Sequence, residues 1–201
     1  MTAFSDTASV AWSAGPLTPL REFATSQLVV AEPDAGMEIL AEAADDGFVV
    51  MCERGVGPVG LVRTVEFTGG PSVPAGVLVT APSTLFGALM PPGTMSLLDL
   101  DDDPAGIVLA DSSGVPEAVV PQEAVDLFLA TFPPGARRLL GPGGEAGDNR
   151  FPALPGSLPL LYRVRCREPG CGRLVELLEY NRLAPPQCVG GGVPPHAVRL
   201  R

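Results

Sequence analysis

LYRVRCREPGCGRLVELLEYNRLAPPQCVGGGVPPHAVRLR, residues 161–201, holds three of the chain's four cysteines and its only histidine. The spacing is Cys166-x4-Cys171, then Cys188-x7-His196. Three thiolates and one imidazole make a complete tetrahedral donor set for Zn2+, with no position left open for chemistry. The pattern therefore predicts a structural zinc site. A short segment with few large apolar side chains needs a staple to fold, and a metal ion supplies one. Rival readings of the same residues are a Cys166–Cys171 disulfide, reactive thiols, or unpaired core cysteines.

The local pattern around these residues fits two metal-binding loops. Leu161 to Cys166 alternates apolar and Arg residues, as a half-exposed strand does. Pro169-Gly170 allows a turn, and Gly172 can follow Cys171 in a left-handed conformation that aims backbone N–H groups at sulfur. Residues 173–180 read either as a strand or as a short helix. Pro185-Pro186-Gln187-Cys188 opens a second, Gly-rich loop, Pro194-Pro195-His196 closes it, and Val198 to Leu200 reads as a returning strand. Residues 160–201 thus resemble a zinc ribbon. They depart from it in the four-residue first gap, where two is common, and in the wide Cys-x7-His half.

Upstream, apolar runs of strand length recur. Gln27–Ala31, Phe48–Cys52, Val59–Arg63, Gly76–Thr80, Gly106–Ala110 and Glu117–Val120 read as strands. A helix is expected from Asp34, as N-cap, through Met37, Ile39, Leu40 and Ala43. A short helix capped by Ser83 is expected through Leu85, Phe86 and Leu89. Gln122 to Phe132 reads as a third helix. Gly55-Val56-Gly57-Pro58 and Asp111-Ser112-Ser113-Gly114 are turns. Cys52 falls in a buried strand and reads as a small core residue.

Over residues 17–132 this gives two tandem strand–helix–strand–strand–helix units. The residues Gly60-Leu61-Val62 before Glu66-Phe67, then Ile107 to Gly114 with Pro116 to Glu123, resemble a pair of CBS (cystathionine β-synthase) domains. That resemblance implies a cleft for an adenine nucleotide, with acidic ribose-holding positions at Glu66 and Glu123. The hydroxyl positions of the family fall on Arg63 and Val120, so the pair reads as degenerate. The independent reading of Glu66 and Glu123 is as carboxylates favoured by a helix N-terminus. The expected fold class is α/β (α+β): the CBS-like pair over 17–132, a Gly/Pro-rich linker over 133–159, and the zinc-ribbon module over 160–201.

Composition narrows the function. All 13 basic residues are Arg, which excludes a Schiff-base lysine or a Walker-type phosphate lysine and suits a GC-rich bacterial genome. Residues 1–161 carry 6 Arg against 20 acids, and residues 162–201 carry 7 Arg against 3 acids. An acidic body argues against broad nucleic-acid binding. The start MTAFSDTASVAW lacks a signal-peptide pattern, and prolines break the uncharged stretch 67–98, so a soluble, cytoplasmic protein without membrane contact is expected. A reducing compartment favours metal over disulfides. No catalytic constellation is visible, because the one histidine belongs to the metal set. The Asp101-Asp102-Asp103 run reads as a solvated loop, with a divalent-cation site as the alternative. The expectation is a non-enzymatic regulatory or adaptor protein working through a protein partner, with adenine-nucleotide sensing and homodimerisation implied by the CBS resemblance. The alternatives are a nucleic-acid-binding zinc-ribbon protein using the Arg-rich tail, and an accessory subunit of an enzyme complex.

Overall fold

The computed structural model describes residues 15–36, 38, 39, 45–67, 76–90, 97, 98, 100, 104–132, 160–181, 183–190 and 193–199. The linker 133–159 and Asp101 to Asp103 lie outside them. The described chain is a mixed α+β protein. β1 (Leu28–Ala31), β2 (Phe48–Glu53) and β3 (Gly57–Arg63) form one sheet in that order, β1 parallel to β2 and β2 antiparallel to β3. β4 (Gly76–Thr80), β5 (Gly106–Ala110) and β6 (Pro116–Pro121) repeat these relations, β4 parallel to β5 and β5 antiparallel to β6. The helix α1 (Gln122–Thr131) follows β6 directly.

The larger sheet does not stop at the second unit. β7 (Leu161–Arg165) runs antiparallel along the other edge of β4, and β8 (Leu174–Leu177) along β7, giving the order β6-β5-β4-β7-β8. The C-terminal segment is therefore joined to the body by a backbone ladder. Within 173–180, Leu174–Leu177 form a strand and no helix forms. The local helix preference is overridden by pairing with β7, where Glu176 sits opposite Arg163 and Val175 opposite Val164. β9 (Gln187–Gly190) and β10 (Val193–Ala197) form a separate two-stranded sheet.

Three sequence expectations shift. The last strand is β10, so Pro194, Pro195 and His196 lie within it. Val198 and Arg199 follow it, tied instead to Pro186 and Arg167 by backbone bonds of 2.9 Å. Proline is tolerated there because an edge strand leaves some N–H positions unpaired. Of the helix expected from Asp34, Pro33-Asp34 is a turn, and Ile39 N–H closes a tight turn onto Gly36 O at 3.5 Å. Met37, Leu40 and Ala43 lie outside the described residues. The helical turn near Ser83 spans Phe86–Leu89 and has no side-chain cap; Leu85 precedes it in extended conformation.

Packing explains the continuous apolar runs. β4 and β5 are buried at every position. On one face, Val77, Val79, Val108, Ala110 and Val119 meet Phe48, Val50 and Leu61 of the smaller sheet. On the other, Leu78, Ile107, Leu109 and Val120 meet Leu20, Phe86, Leu89, Val125 and Phe128. Phe23 meets Phe86 edge to face and Phe86 meets Phe128 in a tilted contact, with centroids 5.2 and 4.7 Å apart. No helix among the described residues is long and apolar enough to cross a membrane.

Gly106 opens β5 at φ 147°, and a Cβ there would lie 2.2 Å from the Val120 carbonyl oxygen. Gly106→Ala is expected to destabilise the fold by about 2 kcal/mol or more, through strain and steric overlap. Urea denaturation checks this, and an unchanged midpoint would mean that the β5–β6 edge relaxes freely.

Candidate metal centre

Each of the four predicted donors reaches the centre by a local device. Cys166 follows the end of β7, and its N–H donates to Arg173 O at 2.8 Å across the loop. Cys171 N–H closes the tight turn onto Glu168 O at 2.9 Å. Gly170 (φ 80°) and Gly172 (φ 56°) take the left-handed conformations that the turn requires. Cys188 on β9 pairs directly with His196 on β10, so both side chains leave the same face of that small sheet.

The result is a closed cluster. One donor atom from each of Cys166, Cys171, Cys188 and His196 lies within 4.8 Å of every other. Cys166 Sγ is 3.3 Å from His196 Nε2, and Cys171 Sγ is 3.5 Å from Cys188 Sγ. Tetrahedral coordination at ~2.3 Å would place sulfurs about 3.8 Å apart, so the spacing suits one metal ion. His196 Nδ1 lies 2.7 Å from Pro194 O. As donor in that bond, the usual outer support of a metal-binding histidine, Nδ1 leaves Nε2 facing the thiols, where loss of its proton frees a lone pair for a metal. No cysteine is in a disulfide.

Electrostatics within the cluster are uneven. Burial opposes the Cys166 thiolate, but hydrogen bonds from the Arg199 and Glu168 backbones, with His196 and Cys171 beside it, bring its pKa from 9.0 down to about 7. Burial pushes Cys188 up to about 11, and the adjacent Cys171 and Cys166 add to the effect. His196 rises from 6.5 to about 9, through the Pro194 carbonyl first and then Cys166.

Arginines connect the centre to the body. Arg165 bonds Gly172 O at 3.0 Å, beside Cys171, and its other nitrogen pairs with Glu53 of β2. Arg163, with only 13% of its side chain exposed, bonds Glu176 at 2.9 Å and reaches Val56 O at 2.9 Å and Pro58 O at 3.4 Å. Arg173 donates to Val189 O, and Arg199 pairs with Glu168 at 2.8 Å. The alternating Arg pattern of β7 signals exposure on one face, but nothing in the sequence pairs Arg165 with Glu53.

The other singled-out residues lie elsewhere. Arg63, at the end of β3, pairs with Glu123 in the first turn of α1 and lies 5.9 Å from the centroid of the Phe48 ring. Glu66 sits exposed in a short helical turn, Thr64–Glu66. A cavity of about 680 Å³ opens at the carboxyl ends of the parallel strands β4 and β5, beside Ala81, Ala110, Arg21, Glu22 and Glu117, and includes none of the three. Cys52 stays apart from the cluster, partly buried on β2. Burial raises its thiol to about 11, against a smaller opposite effect of Arg163.

No family model, curated protein or solved structure matches this chain.

Without an ion, His196 and Cys188 hold their protons at neutral pH, so loading must displace them. Because the His196 pKa is raised, the competing proton is present below about 9 and lost above it. Zinc affinity should therefore fall by roughly tenfold per pH unit per displaced proton as pH drops through that region. Competition with a chelator of known pH dependence measures it, and a flat profile would contradict the proton count.

Proposed function

We propose that this chain is a non-enzymatic regulatory or adaptor protein acting through protein–protein contacts, with a structural Zn2+ ion at its C-terminal end. The carrying observation is the closed set of four donor atoms within 4.8 Å of one another. Three sulfurs and one imidazole nitrogen are the ligands zinc takes in four-coordinate structural sites. With the protein supplying all four, no coordination position remains for water or substrate.

Several observations support a contact role. Leu178, Leu183 and Val189, in the segment leading to and including β9, are 58%, 96% and 58% exposed. Large apolar groups that face solvent in one short stretch of chain are candidates for contact with a partner. The guanidinium groups of Arg163, Arg165 and Arg173 already hold Glu176, Val56, Glu53, Gly172 and Val189, which leaves them poorly disposed toward phosphates. That favours the adaptor over a nucleic-acid-binding zinc ribbon. The repeated strand order supports a degenerate CBS-like pair, and the two metal-binding loops support the zinc-ribbon likeness.

Elemental analysis of the purified protein is expected to find about one zinc per chain, and Cys188→Ser to lose most of it. Chelation should lower the thermal midpoint, because binding free energy of a structural ion is folding free energy. A metal-free preparation that melts like the native one would end this reading.

The Arg63–Glu123 pair joins two of the positions that the CBS resemblance would assign to nucleotide contact. Calorimetric titration with AMP, ATP and S-adenosylmethionine should therefore give no binding heat. Heat that disappears in Arg63→Ala would restore a sensor role.

A further inference from the structure

The three cysteines of the centre are not equivalent. Cys166 is buried and faces His196 Nε2 at 3.3 Å. Cys171 is partly exposed and faces Cys188 Sγ at 3.5 Å. The glycines flanking Cys171 present no side chain. Among the described residues, a methyl group at Gly172 would touch nothing within 4 Å, and one at Gly170 would meet only Val193 Cγ1 at 3.7 Å. Of the two facing sulfurs, that of Cys171 belongs to the more exposed residue and that of Cys188 to the buried one.

The two segments also have a tie that no metal supplies. Arg173, two residues beyond Cys171, donates from its guanidinium to the Val189 carbonyl, next to Cys188. Arg173 O in turn accepts from Cys166 N–H at 2.8 Å, so the arginine belongs to the folded loop. This contact ties the loop that carries Cys171 to the strand that carries Cys188.

Building on the metal-centre reading, we propose that Cys171 and Cys188 form an oxidant-sensitive pair through which a hydroperoxide releases the ion. The Cys171 thiolate attacks a peroxide oxygen. An S–O bond forms, the O–O bond breaks, and the departing hydroxide (or alkoxide) takes a proton. The Cys188 thiolate then attacks the sulfenic sulfur. The S–S bond forms, the S–O bond breaks, and hydroxide leaves and is protonated to water. Two electrons pass from the two sulfurs to the peroxide, and two protons are consumed. Cys166 and His196 alone are too few to retain the ion. The new bond joins the first loop to β9, so that connection persists while the metal link between Cys166 and β10 is lost.

The test uses the full zinc-loaded chain treated with hydrogen peroxide. Zinc release is read with a chromogenic chelator, and disulfides are located by peptide mass mapping. Release of about one zinc per chain, in step with a Cys171–Cys188 link and reversed by a dithiol plus zinc, is the expected result. Cys52→Ser should leave it unchanged. Arg173→Ala should shift product from the disulfide toward Cys171 sulfinic acid, with Arg173→Lys as the milder variant if the first does not fold. Zinc retained under peroxide that oxidises a small free thiol, or a link made through Cys166, overturns the proposal. A chain isolated without metal overturns the metal reading instead, and the mapped linkage then tests the cysteine pair separately.

Discussion

A strand buried on both faces must also have both of its backbone edges hydrogen-bonded, because an unpaired buried N–H or C=O is costly. β4 is such a strand, with every residue from Gly76 to Thr80 buried. Its first edge is satisfied by β5 from the same unit, through Leu78, Val79 and Thr80. Its second edge has no partner until the chain returns as β7, pairing Gly76 through Val79 with Val164 through Leu161. The rest of the architecture follows from that requirement. The C-terminal segment completes the central sheet, and the cysteine–histidine cluster begins one residue beyond β7.

The cluster and the body are consequently parts of one packed whole. Cys166, Cys188 and Val198 belong to the same hydrophobic core as Leu20, Phe86 and Phe128. Arg163 and Arg165 leave β7 for the turn and flank of the smaller sheet, so the strand that leads to the metal loops also touches both sheets. The largely buried guanidinium of Arg163 is satisfied by two carbonyls and a carboxylate, the arrangement that makes burial of a charge tolerable. A closed donor set embedded in this way is suited to holding shape, since it leaves no open position for substrate.

Much of this was legible in the residues. Phe48–Cys52, Gly76–Thr80 and Gly106–Ala110 read as strands because continuous apolar runs of that length have few other uses. The turn at Asp111 was legible because its carboxylate can accept from the following backbone, and it does so from Ser113 and Val115 at 2.8 and 2.9 Å. The four donors were legible because the only histidine lies among clustered cysteines. What sequence could not supply was partnership. Alternation in Leu161–Arg165 marks two faces of a strand but says nothing about β4, which lies far off in the chain. Glu176, Leu177, Leu178 and Glu179 carry a helical preference, and pairing with β7 draws the first two into a strand instead. The Arg63–Glu123 contact likewise joins residues that local patterning treats as separate carboxylate and cation positions.

The pairing of β4 with β7 also sets a clock on biosynthesis. A ribosome delivers the chain from the N-terminus, so Gly76–Thr80 emerges long before Leu161–Arg165. At ordinary elongation rates the roughly eighty intervening residues take on the order of 4–16 s to translate. Throughout that delay a sticky apolar ribbon stands with one side bare, open to a neighbouring nascent chain or to a chaperone. The last stretch to be made is the one that covers it, and a message truncated before that point would yield a polypeptide primed to aggregate.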